Sequence, residues 1–311
     1  MKRTFLILFI PLISLNCGNN LALEKGSTIT EEFAKYWYSG KAEITSYKLQ
    51  QARYGEMHAG SAVTIFVTED FSAKKHVKLD NPQSAGSDAV SVLKLNLTKN
   101  FNTGIYPYSM MLSVFKPINT SKWEHALKIT ASSQEWCGHT FTQIDADKDK
   151  YNAKLFSYFE SEGDQEKILP LVWMEDELWT LLRINPSGLP IGNIKIIPGL
   201  LQQRLLHTNL QAEDAGASLV NVSEIPSWIG AEKNLMSYSI TYKEKQRTLR
   251  IYFSEGFPHA IAGWEESYPD GFGKDKKTLT TRAVKDKTII TDYWNHHHNS
   301  DAALRDSLDL K

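Results

Sequence analysis

The sequence predicts a mainly β protein, a β-rich α+β chain built as a curved antiparallel sheet or incomplete β-barrel with a few helices. Three observations predict it. Alternating runs rich in Val, Thr and aromatic residues fill two long regions, about 41–160 and 236–294. Aromatic residues make up 11% of the chain, with 8 Trp and 13 Tyr. Between the β-regions lies a helical insertion near 172–207, where Pro170, Pro186, Pro190 and Pro198 punctuate apolar residues at helical spacing. Meander, insertion, meander and terminal helix suit a curved sheet with helices over its open side. No internal repeat divides the chain. Residues 28–311 are expected to form one domain, or two packed lobes of about 28–160 and 161–311.

Thr28-Ile29-Thr30-Glu31 matches a capping box, and Phe33, Tyr36 and Trp37 follow at helical spacing. A helix over 29–38 is expected, stopped by Gly40. Residues 41–53 read as a polar-rich strand and 54–60 as a turn. Residues 61–68 carry apolar side chains on both faces and read as a central strand. Residues 74–79 alternate weakly, and 81–88 form a loop of Pro, Gly, Ser and Asn. In 89–98, Leu93, Leu95 and Leu97 share one face, with Lys94 and Asn96 on the other. Residues 106–115 pair back through Asn102-Thr103-Gly104, and 126–131, 134–143 and 151–160 continue the meander.

In the insertion, Met174, Leu178, Leu181 and Leu182 mark a helix. Glu175, Asp176 and Glu177 stand in its first turn, where acids suit the helix dipole. Asn185-Pro186 ends it. Leu200, Leu201, Leu205 and Leu206 mark a second helix opened by Pro198. Residues 236–242 and 248–253 form a hairpin. Strands over 260–267, 278–284 and 288–294 complete the second meander. Ser300 caps a last helix with Leu304 and Leu308 on one face.

The first residues give an address. Met1 to Thr4 is a short basic start, and residues 5–15 are apolar except for Pro11 and Ser14. That run is too short for a bilayer core, which needs about 20 residues, and it suits a secretory signal. Cys17, with Asn16 before it and Gly18 after it, sits where a bacterial lipobox places the acylated cysteine, although Ser14, Leu15 and Asn16 depart from the usual residues. The expectation is a signal peptide over 1–16, lipid attachment at Cys17 and a flexible tether over 17–27. The destination is the cell envelope, at the outer membrane facing the periplasm. Acyl chains would hold the chain firmly, at about 0.8 kcal/mol per buried methylene.

Composition excludes several classes. When Lys2 and Arg3 leave with the signal, 33 basic residues face 36 acidic ones, and no basic block exists. Nucleic-acid binding is therefore not expected. With Cys17 acylated, Cys137 has no internal partner, so no disulfide framework is expected.

Gln134-Glu135-Trp136-Cys137-Gly138-His139 is the hexamer that most suggests chemistry. On one strand, Cys137 and His139 would face the same side, and a Cys activated by His is a nucleophile pair. The structural alternative is a small buried thiol. His296-His297-His298 could offer His296 and His298 to a metal, or form an exposed turn, and no carboxylate or Cys is tied to them by spacing. Asp145-Ala146-Asp147-Lys148-Asp149 opens like a calcium loop, but Lys150 and Phe156 stand where Gly and Glu are required. A hairpin tip accounts for it. Glu175-Asp176-Glu177 between Trp173 and Trp179 could resemble a glycosidase pair, although a capped helix with core tryptophans accounts for the same residues. No phosphate loop, serine elbow or zinc motif is present. No cofactor or bound metal is expected.

Five segments carry a resemblance: Trp37 to Glu43, Gln51 to Glu56, Ile65 to Glu69, Tyr106 to Met111 and Gln134 to Gly138. In these the chain resembles a group of bacterial lipoproteins of Bacteroidota type with no assigned activity. Some of them carry the propagated name septum formation inhibitor Maf. The nucleotide pyrophosphatases of that name begin with a Leu-Ala-Ser-x-Ser-Pro-Arg-Arg stretch, which this chain lacks. The resemblance implies the lipoprotein address and no active site. The expected function is a non-enzymatic, membrane-anchored envelope lipoprotein that binds a hydrophobic, lipid-like ligand or a partner protein. A hydrolase using Cys137 and His139, and a purely structural interaction module, are the alternatives.

Overall fold

The computed structural model describes residues 29–310. The expected signal peptide, Cys17, the tether and Thr28 lie outside them. The first helix, α1 (Glu31–Trp37), is capped by Thr30, not by Thr28. Thr30 is extended, and its hydroxyl accepts the Phe33 N–H at 3.1 Å. Phe33 and Trp37 are buried.

Among the described residues, all fifteen strands form one sheet. Its first half is a meander of long hairpins: β1 (Ala42–Arg53), β2 (Glu56–Ser72), β3 (Ala89–Thr103), β4 (Tyr106–Pro117), β5 (Lys128–Glu135), β6 (Gly138–Asp147), β7 (Lys150–Ser157) and β8 (Gln165–Pro170). Then come β9 (Trp173–Met174), α3 (Glu175–Ile184), β10 (Gly192–Ile197) and α4 (Leu200–Leu206). The one-turn α2 (Pro82–Ala85) lies in the β2–β3 connection. The second half is β11 (Glu213–Asn221), β12 (Leu235–Tyr242), β13 (Arg247–Ser254), β14 (Ile261–Asp270) and β15 (Lys277–Thr291). Spatial order runs β8 back to β1, then β15 back to β9, so β1 pairs with β15. Every pair is antiparallel except β9 with β10.

This order makes one open, curved sheet. Its two edge strands, β8 and β9, are separated in sequence only by Leu171 and Val172. Three peptide steps of 3.8 Å hold those edges within about 11 Å of each other. Tyr151 of β7 donates its hydroxyl to the Val172 carbonyl at 3.2 Å, while Trp173 pairs with Ile196 of β10. The seam is thus held from both sides. α3 and α4 lie in the lumen of the curve, against β3, β4 and β5.

Strand alternation decides which side chains face that lumen. Tyr47 and Leu49 of β1, Leu93, Leu95 and Leu97 of β3, and Met110, Leu112 and Val114 of β4 join Leu178, Leu181 and Leu201 in one buried cluster. Trp179 of α3 meets Trp264 of β14 edge-on, with centroids 5.1 Å apart. A second cluster lies on the outer face, where Ala42, Ile44, Val63 and Val67 are covered by Leu308.

Several expected boundaries are corrected. The turn read over 54–60 is only Tyr54-Gly55, and β2 starts at Glu56. Gly60 belongs to the strand because a side chain there would collide with the Asn100 carbonyl and Phe101. Residues 74–79 form a turn with a single bridge, Phe71 to Lys78. Residues 134–143 are not one strand, since Trp136 and Cys137 turn the chain between β5 and β6. The expected strands 278–284 and 288–294 are the single β15. The register slips between Ser46 and Tyr47 opposite, which leaves Asp286 as the extra residue. The helical insertion also contributes β10 to the sheet, and β8 and β11 were not legible as strands. The last helix is a 3₁₀ helix, Asn299–Leu308, capped by His298 in place of Ser300. Leu308 is buried and Leu304 is exposed.

Candidate functional site

The candidate site is the polar lattice that seats α3 inside the sheet. All ten residues of α3 are buried, including Glu175, Asp176, Glu177 and Arg183. Each charge meets a partner from the sheet, from a loop beside it, or from α4. Glu177 accepts Lys116 Nζ at 3.0 Å, His125 Nδ1 at 3.0 Å, the Ala126 N–H at 2.6 Å and the Met174 N–H at 3.1 Å. Burial alone would raise its pKa, but Lys116 and His125 outweigh burial and hold it below the usual carboxylate range. Arg247 of β13 clamps Glu175 with both terminal nitrogens, at 2.7 and 2.5 Å, and reaches Glu266 at 2.6 Å. Tyr242 donates to Glu175 at 2.6 Å. At the far end of α3, Arg183 forks onto Glu43 with two 2.7 Å bonds and donates to the Pro258 carbonyl at 2.9 Å. Its guanidinium also lies 4.6 Å from the Phe66 ring centroid.

Asp176 is the exception, since no cation bonds to it. Among the described residues its carboxylate accepts only the Leu200 N–H of α4, at 2.9 Å. Burial, then the Glu175 charge, pushes its pKa from 3.8 up to about 7. Beside it lies a cavity of about 30 Å³, lined among others by Lys99, Leu112, Gln202, Trp264 and Glu266. Burial lowers the pKa of Lys99 against the pull of Glu266. Both amide atoms of Gln202 lack a hydrogen-bond partner. A polar void of this size suits about one or two waters.

α4 is seated in the same way. Arg53 donates to the Leu205 carbonyl, Arg204 lies 3.6 Å from Glu135, and the Arg204 guanidinium stacks 4.4 Å over Phe159. Buried pairs like these contribute little net stability against apolar isosteres. Removing one partner costs about 3–5 kcal/mol. Their physical effect is to fix where the helices sit. The opening between α4 and β6–β7, beside Thr140, Gln203, Arg204 and His207, holds about 120 Å³. Ligand pockets span roughly 300–1,000 Å³, so this opening is too small for a lipid-like molecule. A larger hollow of about 890 Å³ lies outside the lumen, between residues 73–76, residues 122–125 and β6–β7.

The residues singled out in the sequence are placed as follows. Cys137 stands exposed in the β5–β6 turn, and His139 is the second residue of β6. Because Cys137 is in the turn and His139 on β6, they do not share the strand face on which their pairing rested, and among the described residues no hydrogen bond links them. The Glu135 carboxylate accepts the Cys137 N–H at 2.7 Å, and it holds the thiol pKa above its ordinary value. His296 lies 3.3 Å from Asp292, and His298 caps the last helix. Among the described residues no group of three His, Cys, Asp or Glu is placed to hold a metal. Asp145 bonds His76 at 3.2 Å on β6, and Lys148-Asp149 forms the hairpin tip.

Lys99, Lys116, Glu43, Arg183, Arg247 and Glu266 were missed as site residues. A signal for three of them was present in strand parity. Lys99 continues the inward series Leu93, Leu95, Leu97. Lys116 continues Met110, Leu112, Val114, and Glu43 precedes Tyr47 and Leu49 on the inward face of β1.

No family model matches the chain, and no curated protein matches it. Among solved structures it is similar to a beta-barrel-like protein of the domain of unknown function DUF1849 from Brucella abortus. The TM-score is 0.46 and the identity 9%, over 81% of this chain and 98% of that one.

Proposed function

We propose that the chain is a non-enzymatic binding protein of the bacterial cell envelope, held to a membrane through acylated Cys17 and acting through the outer surface of its sheet. The observation that carries this reading is the filled lumen. α3 and α4 occupy the space a hydrophobic ligand would need, and ion pairs to β1, β4 and β13 fix α3 there. Binding is therefore assigned to the outside, as in the interaction-module reading. The lipoprotein-like segments and the N-terminal signal pattern support the address. The hydrolase alternative requires Cys137 and His139 together in a cleft, and an exposed Cys137 in the turn with an exposed His139 on β6 does not support it.

The test compares wild-type and Cys17→Ala chains by intact mass and fractionation. The expected result is a diacylglyceryl-type mass on the wild type alone, with the variant released from membranes. An unmodified, soluble wild type would overturn the tether. A stoichiometric lipid extracted from the released variant would overturn the filled lumen.

A further inference from the structure

Alternate hairpin turns of a meander lie at one end of the sheet. At one end of the sheet these turns join β1–β2, β3–β4, β5–β6, β7–β8, β12–β13 and β14–β15. Four of them project a large apolar side chain into solvent. Ile105 is 82% exposed, Phe272 70%, Trp136 68% and Tyr158 64%, among the highest values for large hydrophobic residues in the molecule. They belong to neighbouring turns, and the rings join. Phe272 stacks on Tyr54 at 5.5 Å and 18°. The Tyr54 hydroxyl bonds Tyr106 at 3.2 Å, and the Tyr106 ring lies 6.5 Å from Trp136. The Tyr158 ring covers Gly138, two residues beyond Trp136, and meets Phe159 edge-on at 5.4 Å. The result is an aromatic arc running across ten strands, from β14–β15 to β7–β8.

We propose that this arc docks onto a lipid bilayer with anionic headgroups. The inference rests on the surface-binding reading above and names the surface. Three features favour lipid over a protein partner. The exposed groups sit singly on separate turn tips, so they can enter a fluid plane together without a complementary pocket. Trp and Tyr, with an apolar body and a polar edge, suit the membrane–water interface. Lysines also cluster beside the arc: Lys274, Lys276 and Lys277 are exposed next to Phe272, and Lys243 is exposed on the neighbouring tip. Each lysine near an anionic leaflet adds to binding. Three of the facing acids are engaged. Asp270 accepts the Gly55 N–H, Glu162 bonds His207 and Ser157, and Asp164 accepts the Ser157 N–H. Asp275, Glu244, Glu160 and Glu56 remain exposed. The described chain enters β1 at the other end of the sheet, through α1. A chain anchored there would present the arc away from its anchor, toward a second lipid surface.

Cys137, exposed beside Trp136, is a natural probe site. In the full chain carrying Cys17→Ala it is the one thiol, and an environment-sensitive fluorophore attached there reports the arc alone. The control carries Cys17→Ala, Cys137→Ser and Lys148→Cys, which moves the label to the opposite end. Vesicles of phosphatidylethanolamine and phosphatidylglycerol are added to both. The expected result is a blue shift and quenching by headgroup-level quenchers for the Cys137 label, with none for the Lys148→Cys label. The pair Trp136→Ser and Phe272→Ser should raise the vesicle concentration for half-maximal signal by about tenfold or more. A Cys137 label that stays in water overturns the inference. If the acylated wild type floats with vesicles while the Cys137 label stays in water, the tether reading survives and the arc reading falls. A shift at the Lys148→Cys position instead would also overturn it.

Discussion

Asp176 makes a prediction whose sign and size follow from its surroundings. The carboxyl is buried in the first turn of α3, beside Glu175 and near Glu266, Arg247 and Lys99, with one backbone donor from Leu200. Its folded pKa is raised, from 3.8 to about 7. A raised acid contributes stability that is fully present below the unfolded pKa and lost as pH rises through the folded one. The window is therefore about pH 4 to 7. At about 1.4 kcal/mol per pH unit, the loss across it is at most about 4 kcal/mol. Asn at 176 keeps an acceptor for the Leu200 N–H and never ionises. Asp176→Asn should thus match the wild type near pH 4 and exceed its stability by about 2–4 kcal/mol at pH 8. Urea denaturation of both chains between pH 4 and 8 measures the difference directly. Other titrating groups are common to the two chains and cancel. A difference that stays flat with pH, or a variant less stable at pH 8, would refute the reasoning.

Three further outcomes follow from the same geometry. Arg183→Met leaves Glu43 buried without its cation and should cost about 3–5 kcal/mol, whereas adding Glu43→Gln should recover most of it in a double-mutant cycle; additive losses would contradict the pairing. Gly60→Ala pushes a methyl into the Asn100 carbonyl and Phe101, so the midpoint of denaturation should drop by about 1–3 kcal/mol equivalent; a neutral substitution would show that β2 and β3 can part there. Glu135→Gln removes the charge that holds the Cys137 thiol up, so alkylation by iodoacetamide near pH 7.5 should speed up, and an unchanged rate would sever that link.

The architecture was largely legible because period-2 patterns are local. Leu93, Leu95 and Leu97 announced β3 and its inner face, and 236–253 announced a hairpin. The two lumenal helices were legible from Leu178 to Leu182 and from Leu200 to Leu206. What was not legible depended on distance. Strands β8 and β11 carry weak alternation and are defined by their neighbours. The pairing of β1 with β15 is a fact of topology that no local window contains. The same holds for the site. Glu175, Asp176 and Glu177 look like dipole-facing acids on any helix, because Arg247, Lys116 and Leu200 approach them from far along the chain. The Cys137–His139 pairing failed for a local reason. The strand pattern over 134–143 continues smoothly across a turn that Trp136-Cys137 make without the Asn-Gly chemistry that marks most two-residue hairpins.

The central claim is that α3 and α4 are a fixed plug and not a lid over a ligand space. Native-state hydrogen exchange of the α3 and α4 amides tests it most directly. The account predicts that these amides exchange only with global unfolding, with the same free energy and denaturant dependence as β3 and β4. Exchange of α3 and α4 through a lower-energy opening, with β3 and β4 still protected, would contradict it and return the lumen to use as a binding cavity.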